Sequence, residues 1–111
     1  MWKKILELWK TEDLLNQAWD QSYEMIDITH EMYSMSVRAI RTEKDLRASK
    51  TIHDKDKLVN RLQRDVRRKA ITHVALQASE EVASAMVLVN VVIDLERIGD
   101  YTKNIIDLVQ Y

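Results

Sequence analysis

Apolar and small residues recur three and four positions apart over a long first stretch of the chain, from about Glu12 to about Leu46. This spacing places them on one face of an α-helix. The members of this predicted core face are Leu15, Ala18, Trp19, Ser22, Met25, Ile26, Thr29, Met32, Tyr33, Ser36 and Ile40. The pattern therefore predicts a long amphipathic first helix.

Two further helices are predicted in the second half of the chain, one from about Lys55 to about Leu76 and one from about Glu80 to the last residue. Their predicted core positions are Val59, Leu62, Val66, Ala70 and His73 in the second helix, and Leu88, Val91, Leu95, Ile98, Thr102, Ile105 and Val109 in the third. The polar segment 47–54 is expected to connect the first two helices. These elements favour an antiparallel three-helix bundle.

Helix-start signals divide the chain in the same way. Thr11, Asp54 and Ser79 each stand at the beginning of a periodic stretch and are followed by acidic residues. A side-chain oxygen at the first position accepts a hydrogen bond from an otherwise free backbone N–H, and acids in the first turn complement the helix dipole. Thr11 therefore separates an N-terminal segment, residues 1–10, from a bundle domain, residues 11–111.

The N-terminal segment has an apolar row of its own, in which Trp2, Ile5, Leu6 and Trp9 follow helical spacing among lysines. It is predicted to form a short, separate amphipathic helix. Such a helix can fold back onto the end of the bundle. It can also dock on another protein or lie on a membrane surface as a peripheral anchor, because paired tryptophans flanked by lysines suit both roles.

Composition supports an all-α fold and narrows the function. The chain of 111 residues has no proline, one glycine and no cysteine, so strand and turn signals are few and disulfides and thiolate metal sites are excluded. A net charge of -1 gives no overall attraction to nucleic acid, which is not an expected partner. No apolar run approaches the ~20 residues of a membrane span, and no secretion signal is recognisable. A cytoplasmic protein is expected.

The third helix is apolar on more than one side, since Val82, Ala85, Met86, Val89 and Ile93 lie away from its predicted core positions. Only one side of a helix can face the centre of a three-helix bundle. The other side is expected to meet a second copy of the bundle or another protein, and a homodimer is the predicted assembly.

The segment "DLERIGDYTKNI", which ends the third predicted helix, closely resembles the signature of the PhoU family, and "DKLVNRLQRDV" is similar to the second-helix pattern of that family. The resemblance implies a three-helix repeat, of which family members usually have two in tandem and this sequence has one. It also implies a regulator of phosphate uptake and phosphate-starvation signalling. The implied partners are the ATPase of a phosphate ABC transporter and a membrane sensor histidine kinase.

The resemblance further implies a metal site. In the PhoU family, carboxylates four residues apart on neighbouring helices bind metal, and Glu96 and Asp100 match that arrangement, with Asp56 and Asn60 at the second-helix positions. Iron, zinc or another divalent cation would relieve the repulsion between the paired carboxylates. Asn60 stands where the family usually has an acid, which weakens the affinity. Gly99 would let a helix or ligand approach closely.

Other interpretations remain open. Glu96 and Asp100 can be surface acids that pair with Arg97 or Lys103. The chain can be an accessory domain of a sodium-phosphate cotransporter, or a metal-binding carboxylate helix-bundle protein or enzyme. The enzyme is disfavoured because its chemistry uses Glu-x-x-His pairs, and none occurs here. The histidines are expected to be core or loop residues.

Overall fold

A computed structural model describes residues 2–42, 46–76 and 81–109, with the side chains of all of these except 4–13, 46 and 109. It contains three α-helices, which are α1 (Trp2–Arg41), α2 (Leu46–Leu76) and α3 (Val82–Val109). Each helix packs against both of the others, and the molecule measures 62 × 22 × 15 Å. The prediction of an all-α three-helix bundle is confirmed.

Polar contacts between α1 and α2 show that these helices run in opposite directions. Gln21 Nε2 donates to Asp65 Oδ2 at 3.0 Å, and ten residues further along α1 Glu31 Oε2 accepts from Lys55 Nζ at 3.0 Å. The partner on α2 therefore moves backwards along the sequence as α1 advances.

The contacts between α2 and α3 have the same antiparallel order. His53 Nε2 lies 2.7 Å from Asp107 Oδ1, whereas Asp56 Oδ2 lies 3.5 Å from Lys103 Nζ. Because α2 is antiparallel to both of its neighbours, α1 and α3 are parallel to each other.

The core is formed by one face of each helix. Its buried apolar side chains are Leu15, Ala18, Met25, Ile28, Met32 and Ala39 of α1, Ala48, Ile52, Val59, Leu62, Val66 and Ala70 of α2, and Ala85, Leu88, Val92 and Ile106 of α3. All the predicted core positions of the second helix are buried, including His73, whose Nε2 pairs with Glu81. The expectation of a core histidine is confirmed at this position.

Several buried positions are hydroxyl residues, and four of them, Ser22, Thr29, Ser36 and Thr102, bond within their own helices. The Oγ atoms of Ser22 and Ser36 donate to carbonyls three residues earlier, and Thr29 Oγ1 donates to the Met25 carbonyl at 2.9 Å. Thr102 Oγ1 donates to the Gly99 carbonyl at 2.7 Å. These bonds remove the cost of burying a free hydroxyl, so small polar residues can share the core face with methionine and leucine.

The predicted helix break at Thr11 is wrong, because α1 runs without interruption from Trp2 to Arg41. An N-cap residue contributes only about 1 kcal/mol, and the flanking sequence contains no glycine or proline to end a helix. The side chains of Ile5, Leu6 and Trp9 lie outside the described residues, whereas Trp2 is exposed. Residues 2–10 therefore form the first turns of α1 instead of a separate helix.

These first turns extend beyond the other two helices. Lys69 Nζ donates to Gln21 Oε1 at 2.8 Å, so the last residue of α2, Leu76, lies near the level of Leu14. The twelve residues of α1 before Leu14 correspond to about 18 Å of helix. The N-terminal part of α1 thus projects past the end of α2.

The predicted connection at residues 47–54 is also wrong, because this segment is the beginning of α2 and Asp54 lies inside the helix. Its few core residues, Ala48 and Ile52, keep helical spacing and are buried. The first helix ends five residues before the predicted Leu46. Both the amide and the hydroxyl of Thr42 donate to the Arg38 carbonyl, which caps the last turn of α1.

The core face of α3 differs from the predicted one by about one position. Leu88 and Thr102 are buried as expected, but Ile98 is 43% exposed, and Val91 and Ile105 are only half-buried. The positions that complete the buried face are Ala85, Val92, Gly99 and Ile106. Apolar residues occur almost all round this helix, so periodicity alone could not select the face. The Ser79 start signal and the side chain of Val109 lie outside the described residues.

The same shift corrects the predicted outward row of α3. Ala85 is in the core and Val89 packs against it. Val82, Met86 and Val89 line a groove against α2, with a volume of about 470 Å³. In α1, three predicted core residues are instead exposed, namely Ile26, Tyr33 and Ile40.

Candidate functional site between α2 and α3

Gly99 is on α3, between the acids Glu96 and Asp100, and faces Asp56 on α2. A Cβ atom at this position would lie 3.4 Å from Asp56 Oδ1 and 3.7 Å from both Val59 Cγ1 and Met32 Cε. The absence of a side chain thus gives the carboxylate of Asp56 room beside the α3 backbone. These are ordinary contact distances, so the approach of α2 does not require a glycine, and the role of Gly99 in close approach stays a prediction.

Asp56 is the buried acid of the site. The residue is 5% exposed, and its Oδ2 lies 3.5 Å from Lys103 Nζ. Its Oδ1 atom accepts no hydrogen bond from any residue that the structure describes. Leaving a buried carboxylate oxygen without a donor is costly, so the ammonium group of Lys103 beside it is an important compensating contact.

Lys103 links the two helices by contacting two carboxylates. Besides Asp56 on α2, its Nζ atom lies 3.3 Å from Asp100 Oδ1, one turn earlier on α3. The pKa of Lys103 is raised above its ordinary value, mainly by the charge of Asp56, with burial acting in the opposite direction. The ammonium group therefore stays charged and occupies the space between the two acids.

Glu96 completes the site at the next turn of α3. The pKa of its carboxyl is raised, first by burial and then by the charges of Asp100 and Asp56, while Lys103 and Arg97 act in the opposite direction. Lys103 Nζ contacts the carboxylates of Asp56 and Asp100, and Glu96 is the third acid of this surface.

The structure links two of the four predicted metal ligands, Asp56 and Asp100, through Lys103. Asp56, Glu96 and Asp100 interact electrostatically, whereas Asn60 is a half-buried residue one helical turn after Asp56 on α2. The surface-acid interpretation correctly paired Asp100 with Lys103. The contact of Lys103 with Asp56 was missed, because nothing in the sequence separation of these two residues signals it.

The oxygen atoms of these side chains are suitable metal ligands, but their positions do not form a metal site. Carboxylate oxygens, including the free Oδ1 of Asp56, are suitable ligands for hard cations. However, among the described residues no group of three or more histidine, aspartate or glutamate side chains is placed to hold one ion. Lys103 Nζ instead lies where a cation would bridge Asp56 and Asp100.

A second polar cluster connects α1 and α2 near the middle of both helices. Asp65 accepts from Gln21 at 3.0 Å and pairs with Arg68 and Lys69, while Lys69 also donates to Gln21. The pKa of Asp65 is lowered, chiefly by the hydrogen bond from Gln21. This cluster fixes the register of the two helices and is separate from the acidic site.

The match to known families decides the identity. The PhoU domain family matches residues 23–109, which is most of the chain and includes every residue of the acidic site. The chain belongs to the PhoU family. Neither the curated proteins nor the solved structures give a match.

The structure agrees with the single PhoU repeat that the signature indicated. PhoU is a family of regulatory proteins that act in phosphate transport. Within the described residues, no helix is both long enough and apolar enough to cross a lipid bilayer.

Proposed function

We propose that this PhoU domain regulates phosphate uptake and phosphate-starvation signalling by binding other proteins, and that it has no catalytic activity. Its partners are the ATPase of a phosphate ABC transporter and a sensor histidine kinase, and it acts in the cytoplasm, where ATPase and kinase domains operate. The observation that carries the proposal is the family match over residues 23–109. Within this region Lys103 joins the signature acid Asp100 to Asp56 of the neighbouring helix.

Regulation by such a domain requires a difference in affinity between the conformational states of its partner. A ligand shifts an equilibrium only to the extent that it binds one state more tightly. The domain is a rigid bundle in which each helix contacts the other two. It is therefore suited to stabilising the resting state of an ATPase or the phosphatase state of a kinase.

The projecting N-terminal part of α1 is the proposed docking element. It extends past α2, and its described tryptophan, Trp2, is 73% exposed. An amphipathic helix with apolar residues at positions 2, 5, 6 and 9 suits a groove on another protein or the surface of a membrane.

Binding measurements with purified proteins test the proposal. We expect the full chain to bind the transporter ATPase and the cytoplasmic part of the kinase saturably, with an affinity that changes with nucleotide on the ATPase. Removal of residues 1–10 should weaken binding while the circular dichroism spectrum stays helical and melting stays cooperative. Binding to a sodium-phosphate cotransporter in place of both partners would contradict the proposal.

Metal binding by Asp56, Asn60, Glu96 and Asp100 stays a prediction from the family resemblance. The position of Lys103 favours a different arrangement in this chain, in which an internal ammonium group neutralises part of the acidic site. Regulation by this domain would then need no metal. Elemental analysis of untreated protein distinguishes the two, since about one equivalent of iron or zinc would contradict the internal ion pair.

A further inference from the structure

The outer side of α2 carries a continuous row of exposed residues. They are spaced alternately four and three positions apart, and each lies two positions from a buried residue on the inner face of this helix. Two positions correspond to about 200° of helical rotation, so the row faces away from the core. We call it the α2 crest, and its members are Lys50, Asp54, Lys57, Arg61, Arg64, Arg68, Ile71 and Ala75.

The α2 crest is strongly basic along most of its length. Five of its eight residues are lysine or arginine, and Asp54 is its one acid. Arg68 pairs with Asp65, whereas the other four bases form no ion pair with any residue that the structure describes. From Lys50 to Arg68 the bases span about 27 Å of helix. Most of this positive charge is therefore available to a binding partner.

Acidic residues are concentrated on a different helix. Between Leu14 and Val37, α1 contains no lysine or arginine, and its exposed acids are Asp20, Glu24, Asp27 and Glu31. The net charge of -1 thus conceals a molecule with a basic side along α2 and an acidic side along α1. Near a negatively charged surface, such a molecule turns its basic side towards that surface.

The α2 crest ends in apolar residues beside the groove between α2 and α3. Ile71 is 61% exposed, and Met86, which lines the groove from α3, is 62% exposed. The other residues that line the groove are apolar except for Asn90. An exposed apolar surface of this kind is typical of an interaction site. The basic residues and the apolar groove thus follow one another along the same side of the molecule.

This combination indicates an anionic lipid surface as the partner. The crest is the convex outer edge of one helix, so it can lie along a flat surface over its whole length. Clusters of about four to eight lysines or arginines on an amphipathic helix bind anionic headgroups. Neighbouring apolar side chains can enter the boundary between headgroups and acyl chains, and the two contributions together bind more stably than either alone.

Nucleic acid fits the crest less well. Proteins that bind single strands stack the bases on aromatic side chains, and α2 contains no tryptophan, tyrosine or phenylalanine. Binding to a duplex depends mainly on contacts with phosphates. Such contacts would leave Ile71 and Met86 in water, whereas a bilayer removes apolar side chains from water.

We propose that the α2 crest binds the surface of a bilayer that contains anionic lipid. Lys57, Arg61 and Arg64 contact the phosphates of the headgroups, and Ile71 and Met86 enter the layer beneath them. In this orientation α2 lies in the plane of the membrane, and α1 and α3 are on the side away from the lipid.

Sedimentation with vesicles tests the proposal on the purified chain. We expect saturable binding to vesicles of equal parts phosphatidylglycerol and phosphatidylcholine, and little binding to phosphatidylcholine alone. Raising NaCl from about 0.1 M to about 0.5 M should release most of the protein, because salt screens exposed charges. No binding to the anionic vesicles, equal binding to both kinds, or binding that salt does not change would overturn the proposal.

Matched arginine variants locate the contact. Arg61→Gln with Arg64→Gln should weaken binding about 25-fold, since each base near an anionic surface contributes a factor of about five. The control is Arg38→Gln with Arg97→Gln, which removes the same charge from exposed positions on α1 and α3. It should bind nearly as the wild type does. Equal losses in the two double variants would show that net charge alone drives binding and would overturn the assignment to the crest.

A fluorescent label tests the orientation, and the absence of cysteine makes each introduced thiol unique. Ile71→Cys labelled with nitrobenzoxadiazole should shift its emission to the blue on anionic vesicles, because the label enters an apolar layer.

Ile40→Cys is the matched control, since Ile40 is 58% exposed and lies on α1. Gln21 and Glu31, which contact α2, each precede a core-face residue of α1 by one position. Ile40 instead follows one, Ala39, and so lies on the flank away from α2. Its label should not shift. A shift at both positions, or at neither, would overturn the proposed orientation.

Competition with other polyanions tests whether lipid is the partner. Duplex DNA and polyglutamate, at the same concentration of negative charge as the vesicle lipid, should displace little of the protein, because neither offers an apolar layer to Ile71 and Met86. Displacement as effective as that by added anionic vesicles would assign the crest to a nucleic acid or an acidic protein and overturn the proposal. These measurements involve no protein partner, so a failure here leaves the proposed regulation of phosphate uptake untouched.

Discussion

The carboxylate of Asp56 on α2 lies against Gly99 on α3 at the distance where an alanine side chain would just reach it. The glycine therefore leaves space that one methyl group would fill, and no more. This relationship leads directly to a test.

Gly99→Ala is expected to be tolerated and to raise the free energy of unfolding by up to about 1 kcal/mol, because alanine has the higher helix propensity. The nearest atom would lie at an ordinary contact distance of 3.4 Å. Gly99→Leu should instead lower the free energy of unfolding by about 1 to 3 kcal/mol, since its side chain must displace Asp56. Urea denaturation measures both. Equal losses would show that the backbone of α3 needs glycine here.

Lys103→Met should lower the free energy of unfolding by about 1 to 3 kcal/mol, because Asp56 then remains buried without its cation. The variant should also gain affinity for divalent cations. We expect Mn²⁺ or Zn²⁺ to raise the melting temperature of Lys103→Met and not that of the wild type. Adding Asp100→Asn should remove the gain.

Lys57→Met is the matched control for this experiment, since Lys57 is an exposed lysine on α2. Its melting temperature should respond to the cations as the wild type does. A cation-dependent rise in the wild type equal to that in Lys103→Met would contradict the internal ion pair and support a bound metal.

Glu96→Gln should change the dependence of stability on pH. The pKa of Glu96 is raised in the folded state by burial and by Asp100 and Asp56. The folded protein therefore holds a proton that the unfolded chain has already released, and stability falls as pH rises through the interval between the two pKa values. The glutamine variant avoids this loss. It should melt at a higher temperature than the wild type at pH 7, with no difference below about pH 4.

Asp94→Asn is the control for the pH experiment, because Asp94 is an exposed carboxylate on the same helix. Thermal melts of all three proteins across pH 3 to 8 provide the comparison. A gain of the same size and pH dependence in Asp94→Asn would show that the effect belongs to the net charge of the protein and not to the acidic site.

Gln21→Leu should have the opposite dependence on pH. The hydrogen bond from Gln21 lowers the pKa of Asp65, so its contribution to stability is present at neutral pH and is lost as pH falls through the folded-state pKa. The variant should lose about 1 kcal/mol at pH 7 and less in acid. In a protein that also carries Asp65→Asn, the loss of stability caused by Gln21→Leu should no longer depend on pH. If the pH dependence persisted, it would come from a titrating group other than Asp65.

The sequence predicted the fold and the inner face of α2 because that helix alternates clearly between apolar and charged residues. It did not predict the register of α3, where apolar residues surround the axis and only packing selects the buried side. The continuity of α1 through Thr11 was missed for a related reason. A local cap signal is weak beside the propensity of the residues on both sides of it.

Part of the acidic site could also be predicted from the sequence, and part of it could not. The spacing of Glu96 and Asp100 is local, so the sequence showed that they share a side of α3. The family resemblance added Asp56. The link from Lys103 to Asp56 depends on how α2 lies against α3, which no local pattern specifies.

The parallel arrangement of α1 and α3 has a consequence for the order of folding. Helices that are adjacent in sequence meet after closing a short loop, but Met32 and Gly99 meet only after most of the chain between them has been placed. We therefore expect the contacts between α1 and α3 to form last and to be lost first. Substitutions at Gly99 should alter the unfolding rate far more than the folding rate, whereas substitutions at Gln21 should slow folding.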